Sequence, residues 1–200
     1  MKQVFSVLAG VLIIAGFVPY IWAILRKGAK PVKATWIIWI TLDTITLAGM
    51  IVKGTVNGQL IGAMIGVSIV VGLALKFGSP GWTRLDRFCL GGAALGIALW
   101  ALTRDPIAGI ATSCAVLFLG SIPTFVSAWE DPNRESTLAW TFYWCSCVFA
   151  IAAIPQWTIA DALQPITFAV TDTTAMAILL VRPRMLARQR KLAASSSVAS

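Results

Sequence analysis

The sequence predicts an all-α integral membrane protein with seven transmembrane helices in a 3+1+3 arrangement, and three observations support this prediction. Of the 200 residues, 58% are apolar and only 12% are charged, which is about half the charged share of an average soluble domain. The apolar residues fall into seven runs near the length that crosses a bilayer, roughly 17 to 25 residues. A repeat also relates the first three runs to the last three.

The seven runs are bounded by charged or turn-forming residues. In chain order they extend approximately over 4–25, 34–52, 58–75, 88–102, 107–129, 138–154 and 158–181. Because an unsatisfied backbone amide is costly in lipid, each run is expected to be helical. The N-terminal run is long enough to span and takes part in the repeat, so we interpret it as the first helix rather than as a signal peptide.

The positive charges indicate how the chain is oriented. With seven crossings, thirteen of the sixteen Lys and Arg residues fall on one side of the membrane, and only Lys2, Lys53 and Arg104 fall on the other. The richer side is expected to be cytoplasmic, so the N-terminus lies outside and the C-terminus inside. This asymmetry accounts for the net charge of +8 without a nucleic acid partner. Anionic membrane lipids are the expected partners of the basic tail.

A shift of 104 residues aligns the two halves of the sequence. The pairs that it forms include Gly16 with Gly120, Pro19 with Pro123 and Trp36 with Trp140. The shift carries the first run onto the fifth, four crossings later, so the two copies have the same orientation and the fourth run acts as a linker. The predicted organisation is a first three-helix bundle over 1–77, a linker with the fourth helix over 78–105, a second bundle over 106–182 and a basic, disordered tail over 183–200.

The residue content argues against enzymatic chemistry. The chain has no histidine, which removes the commonest general base and a preferred metal ligand. Its four cysteines lie in apolar runs without a CxxC pair, so neither a zinc site nor a disulfide framework is predicted. We expect no enzymatic activity, no metal and no cofactor.

Two carboxylates are predicted near the middle of the membrane. Asp43 lies about nine residues into the second run and Asp172 about nine residues from the end of the seventh, which at ~1.5 Å per residue places both near the midplane. Acids at this depth usually face a cavity, a partner or a proton path. Asp43 and Asp172 are therefore the candidate residues for binding a solute or a proton. The alternative is that each acid is neutral and hydrogen-bonded and only helps to fix helix packing.

Other residues are expected to complete this site or to allow it to open. The predicted pocket residues with hydroxyl or indole groups are Ser68, Trp144, Thr171 and Thr174. Pro19 and Pro123 each remove a backbone hydrogen bond within a spanning helix and permit a bend there. Because the repeat pairs the two prolines, we expect them to act as hinges, with a static kink as the alternative.

The remaining aromatic, amide and glycine residues are interpreted as parts of the membrane scaffold. An aromatic belt at the cytoplasmic interface is the expected role for most of Trp22, Trp36, Trp39, Trp129 and Trp140. Ordinary interfacial polarity is the expected role of Asn57, Gln59, Asp161 and Gln164, with a polar outer vestibule as the alternative. The GxxxG spacing of Gly58, Gly62 and Gly66 predicts close helix packing, either within one chain or between protomers of a homo-oligomer.

The helix layout resembles the SWEET/PQ-loop (MtN3-like) superfamily of seven-helix transporters. The shared features are the proline in the first and fifth helices, the 3+1+3 layout and the outside N-terminus. Tyr20 and Thr124 follow these prolines, where the PQ-loop motif has glutamine. Through residues 16–26 and 30–39 the chain resembles more closely a family of bacterial seven-helix proteins of unassigned function.

This resemblance implies a transport function in the plasma membrane of a bacterium. It implies a secondary transporter or facilitator of a small polar solute, namely an amino acid, an amine or a sugar, that works by alternating access about a midplane cavity. The two acids favour an amine over a sugar and leave proton coupling open. The alternative from another class is a membrane scaffold or sensor that transports nothing, in which both acids are protonated and sealed from water.

Overall fold

The computed structural model describes residues 1–26, 28–79 and 84–198, and this part of the chain is all-helical, with 87% helix and no strand. Eight α-helices follow one another in the order α1 Lys2–Arg26, α2 Lys33–Lys53, α3 Gly58–Phe77, α4 Arg84–Thr103, α5 Pro106–Gly120, α6 Ile122–Glu130, α7 Thr137–Ala153 and α8 Ile159–Val198. A single 3-10 turn, Pro132–Arg134, separates α6 from α7.

Several of these helices are suited to a membrane. By length and composition, five stretches of the described chain are long and apolar enough to cross one, namely α1, α2, α3, the combined α5 and α6, and residues Ile159–Gln189 of α8. The helix α7 is apolar but shorter, at 17 residues. The predicted all-helical class and the membrane composition are confirmed at this level.

Capping residues mark several of the helix ends. Asn57 precedes α3 and its side chain accepts a hydrogen bond from the amide of Leu60. Ser136 plays the same part for α7 and accepts from the amide of Ala139. Such caps satisfy backbone donors that the first helical turn leaves unpaired. At the other end of α2, Gly54 adopts φ 67°, a left-handed conformation that glycine tolerates without steric cost.

The structure departs from the sequence expectation in two helices. The predicted fifth helix is divided, since α5 ends at Gly120 and α6 begins at Ile122 with Pro123 in its first turn. Pro19, its counterpart in the repeat, lies inside the continuous α1. At the C-terminus, α8 continues to Val198 through residues 183–198, for which the sequence predicts a disordered tail. Residues 199 and 200 of that predicted tail lie outside the described residues.

The two groups of helices, α1 to α3 and α5 to α8, pack against each other through equivalent interfaces. Because α5 and α6 together correspond to α1 in the repeat, we call each group a three-helix group. The helix α1 packs along α7, and α2 packs along α5. A shift of 104 residues exchanges these two interfaces. A glycine lies at each crossing: a Cβ atom on Gly16 would be 2.6 Å from the ring of Tyr143, and one on Gly120 would be 2.7 Å from Ile38. The two repeats therefore pack against each other with approximate twofold symmetry.

The glycines of α3 are used for packing inside the chain. A Cβ atom on Gly62 would lie 2.6 Å from Ile13 and 2.8 Å from the carbonyl oxygen of Gly10, both in α1. The backbone amide of Gly58 also donates to Ser6 Oγ at 2.8 Å. Small residues permit such close helix approach. Of the two alternatives for this GxxxG spacing, the structure shows the contact between α1 and α3 of one chain.

Candidate functional site

A cavity of about 50 Å³ lies between the two three-helix groups, and both predicted acids line it. Asp43 reaches it from α2 and Asp172 from α8. Their side chains are 2% and 8% exposed, respectively. The sequence could not decide whether these two acids share a cavity, because they belong to different repeats, and the structure brings them together.

The cavity wall is built from equivalent residues of the two repeats. The pairs that the 104-residue shift relates are Ile13 with Leu117, Trp36 with Trp140, Trp39 with Tyr143, and Val67 with Thr171. The two acids break this symmetry, since Asp43 corresponds to Cys147 and Asp172 corresponds to Ser68. The cavity is therefore pseudo-symmetric in shape and asymmetric in charge.

Four buried polar atoms in the described part of the chain have no hydrogen-bond partner there, and all four belong to residues of this cavity wall. They are Trp36 Nε1, Asp43 Oδ1, Tyr143 OH and Thr171 Oγ1. Buried polar groups in folded proteins are nearly always hydrogen-bonded. The set comprises a donor, an acceptor and two hydroxyls that can do either. A small molecule with both donors and acceptors would satisfy them.

The aromatic residues of the wall correct one prediction. Trp36, Trp39 and Trp140 are buried, whereas the sequence interpretation assigned most of the tryptophans to an interfacial belt. They pack edge to face, with ring centroids 4.9 Å apart for Trp36 and Trp39 and 6.3 Å apart for Trp39 and Trp140. Such contacts stabilise an interior aromatic cluster. Trp22 and Trp129 are exposed, as a belt requires.

Three of the predicted site residues lie away from the cavity, and Thr171 alone of the predicted hydroxyl and indole residues lines it. Trp144 is 41% exposed and donates from Nε1 to Thr173 Oγ1. Ser68 is exposed on the surface of α3. Thr174 is partly exposed and bonds to its own helix backbone. Trp144 and Ser68 each follow a cavity residue by one position, and one step along a helix turns the side chain by about 100°.

A chain of hydrogen bonds leads from the cavity to the end of the bundle that carries the α2–α3 and α7–α8 connections, here called the glutamine end. Asp172 Oδ2 accepts from Cys147 Sγ at 3.1 Å, and this sulfur accepts from Gln59 Nε2 at 3.3 Å. Gln59 Oε1 accepts from Gln164 Nε2 at 3.2 Å, and Gln164 Oε1 accepts from Asn57 Nδ2 at 2.7 Å. Both glutamines are fully buried. Their interpretation as interfacial polarity was wrong.

A third buried carboxylate lies toward the opposite end, here called the basic end, which carries the α1–α2 and α6–α7 connections. Glu135 is 7% exposed, and its carboxylate accepts from Tyr20 OH at 3.4 Å and from Trp140 Nε1 at 3.0 Å. Burial raises the pKa of Glu135 to about 7, although the hydrogen bonds from Trp140 and Tyr20 act in the opposite direction. The sequence analysis missed Glu135 because the residue lies in a polar connection between helices, where a glutamate is usually exposed to solvent. Nothing in the neighbouring sequence indicates that this one is buried.

Two further contacts join the repeats on this side of the cavity. Thr124 Oγ1 donates to Thr35 Oγ1 at 3.1 Å, and Trp39 Nε1 donates to Ser121 Oγ at 3.2 Å. Polar side chains thus link the two three-helix groups on both sides of the cavity. Pro123 lies beside this contact region, in the interrupted part of the second repeat.

The chemistry of the site has to be inferred from these residues. Comparison of the chain with family models, with curated proteins and with solved structures finds no match. Within the described ranges, no group of three or more His, Cys, Asp or Glu side chains is placed to hold a metal ion. The arrangement offers two carboxylates, unpaired hydrogen-bonding groups and aromatic walls, which together can bind a small polar molecule or a cation.

Proposed function

We propose that the protein is a secondary transporter or facilitator of a small polar solute, which binds in the cavity between the two three-helix groups. One observation carries the proposal: the four buried polar atoms without partners and the two acids all line a cavity to which both repeats contribute. Repeat-built transporters bind their solutes at the repeat interface near the midplane.

The proposal includes the membrane topology. The five long apolar stretches, together with α4 and α7, would make seven crossings with an outside N-terminus, in the plasma membrane of a bacterium. The distribution of Lys and Arg supports this orientation. The arrangement would be the 3+1+3 layout of SWEET/PQ-loop proteins, and lipids would contact the exposed apolar faces of α1 and α3, for example Val7, Val18 and Ile65.

The solute is proposed to be small and to carry an amine. A buried water needs about 10–15 Å³ of such space, so a cavity of about 50 Å³ holds only a few heavy atoms. Asp43 and Asp172 have no described Lys or Arg as an ion-pair partner. A cationic group or a proton is therefore needed to offset the cost of two charges in a low-dielectric interior.

Movement between two access states would use the polar contacts at either side of the cavity. The chain through Gln59 and Gln164 would close the outer side, and the contacts of Thr35, Thr124 and Ser121 would close the basic side. The break between α5 and α6 beside Pro123 supports a hinge in the second repeat. Pro19 would supply the corresponding flexibility in α1.

Transport by the purified protein in vesicles tests the proposal. A pH-sensitive dye inside the vesicles and a panel of amines, amino acids and sugars outside would report solute-dependent proton movement, and isotope uptake would report uncoupled flux. We expect flux of a small amine-bearing solute that Asp172→Asn abolishes. Asp161→Asn is the matched control, because Asp161 lies in the same helix but bonds to Thr158 away from the cavity. Absence of flux and of any solute-dependent thermal shift across the panel would favour the scaffold or sensor and contradict transport.

A further inference from the structure

A second and larger pocket opens at the basic end. Its volume is about 480 Å³, within the range of about 300–1,000 Å³ that ligand sites occupy. Its walls come from the last turns of α1, the α1–α2 connection, the 3-10 turn, the start of α7 and Pro183 of α8. It shares no lining residue with the cavity that holds Asp43 and Asp172.

Glu135 is the one charged residue among the described residues that line this pocket. Two arginines at this end are engaged with other groups: Arg134 pairs with Glu130 at 3.2 Å, and Arg182 lies over the ring of Trp129 at 4.9 Å. Neither of the two described ion pairs includes Glu135. A buried carboxylate without a cationic partner is costly, and a bound cation would remove that cost.

The remaining groups of the wall suit an organic cation better than a metal ion. Pro19, Ala23 and Leu138 supply apolar surface, and Asn133 and Thr137 supply polar groups around Glu135. A carboxylate has about four acceptor positions. Tyr20 and Trp140 use one position on each oxygen, which leaves positions for the N–H groups of a ligand.

We propose that this pocket binds a small organic ammonium ion, whose charge pairs with Glu135 while its carbon atoms contact the apolar wall. Side-chain contacts link the wall of this pocket to the wall of the interior cavity. Trp140, which donates to Glu135, lines that cavity, and Tyr20 packs at 5.2 Å against Trp36 of the same wall. We therefore assign the pocket as a first binding site for the solute on the basic side of the interior cavity. This role rests on the proposed transport function, whereas the binding itself does not.

Titration of the full-length protein in uncharged nanodiscs with ethylammonium chloride tests the binding. Tryptophan fluorescence or calorimetry would follow the titration at constant ionic strength, with acetate and ethanol as the anionic and neutral comparisons. We expect saturable binding of ethylammonium alone, weakened at least tenfold by Glu135→Gln and retained by Glu135→Asp. Unchanged affinity in Glu135→Gln, or tighter binding of acetate, would overturn the proposal.

A second variant distinguishes loss of the binding site from misfolding of Glu135→Gln. Thr137→Trp fills the pocket from an exposed position and leaves Glu135 in place, and it should also weaken binding at least tenfold. If both variants bind as the wild type does, the pocket assignment is wrong. The Asp43→Asn, Asp172→Asn double variant should keep the Glu135-dependent binding, because those acids line the other cavity. Intact binding together with absent transport would refute the proposed function and leave this site standing.

Discussion

Trp36 of α2 and Trp140 of α7 occupy the same position in the two repeats and lie on the wall of one cavity. Their surroundings nevertheless differ. The indole N–H of Trp140 donates to Glu135, whereas that of Trp36 has no partner among the described residues. The repeat therefore fixes where the aromatic rings lie, and local residues decide which ring retains a free donor for a bound molecule.

Thr171→Val should weaken solute binding without lowering the stability of the protein. The Thr171 hydroxyl is buried without a partner, and replacing it by a methyl group of similar shape removes the cost of burying it, about 1–3 kcal/mol. We expect an equal or higher melting temperature and at least fivefold weaker binding of the proposed solute. Thr174→Val, outside the cavity, is the control for both readouts. Unchanged solute affinity in Thr171→Val would show that the hydroxyl does not face the solute.

Gly16→Ala should destabilise the contact between α1 and α7. Its Cβ atom would approach Tyr143 to 2.6 Å and Phe142 to 2.9 Å, and such overpacking costs about 1–3 kcal/mol. Thermal unfolding in detergent would measure the loss. Gly72→Ala is the matched control, since a Cβ atom there meets nothing within 4 Å and alanine favours a helix. Equal melting temperatures for the two variants would contradict the described interface.

Gln59→Leu should disrupt the chain of hydrogen bonds at the glutamine end. It leaves the buried amide of Gln164 without one of its partners, which costs about 1–3 kcal/mol. The double variant with Gln164→Leu should lose less than the sum of the two single variants, because no buried amide then remains unpaired. A double-mutant cycle on unfolding free energies measures this coupling. Additive losses would show that the two glutamines do not interact.

Glu135→Gln should change how stability depends on pH. The pKa of Glu135 rises from 4.5 to about 7 on burial, so the folded protein binds this proton more tightly than the unfolded chain does. Its contribution therefore favours folding below about pH 4.5 and is lost as the pH rises toward 7. Relative to Glu135→Gln, which does not titrate, the wild type should lose up to about 3 kcal/mol across this window.

Unfolding free energies at several pH values between 4.5 and 7 would provide the comparison. Glu130→Gln, at an exposed position of α6, is the matched control and should show the same pH dependence as the wild type. A constant difference between wild type and Glu135→Gln across the window would show that Glu135 is solvated in the folded protein.

Local features of the fold could be predicted from the sequence because local chemistry determines them. The lengths of the apolar runs predicted the helices, and helices begin after capping residues such as Asn57 and Ser136. The depth of Asp43 and Asp172 followed from their positions within the runs. Their convergence on one cavity could not be predicted, because it depends on how α2 and α8 pack across the repeat interface.

The wrong interpretations share a physical cause. The depths of Trp36, Trp140 and Gln59 in the sequence match those of interfacial residues, but these side chains lie in the interior of the protein and are buried. Helical periodicity decides which way a side chain faces, and a helix surrounded by other helices and lipid has apolar residues on all sides. Depth alone therefore could not distinguish a lipid-facing indole from an interior one.

The exchange of interfaces between repeats has a consequence for assembly. Because α1 packs along α7 and α2 along α5, neither half of the chain encloses the cavity alone. A ribosome must extend α8 past Asp172 before Thr171 and Asp172 can close the wall. If the gene were cut in the connection between α3 and α4, the two fragments would have to associate within the bilayer to rebuild the cavity. Gly16 and Gly120 would lie at the surfaces through which the two fragments join.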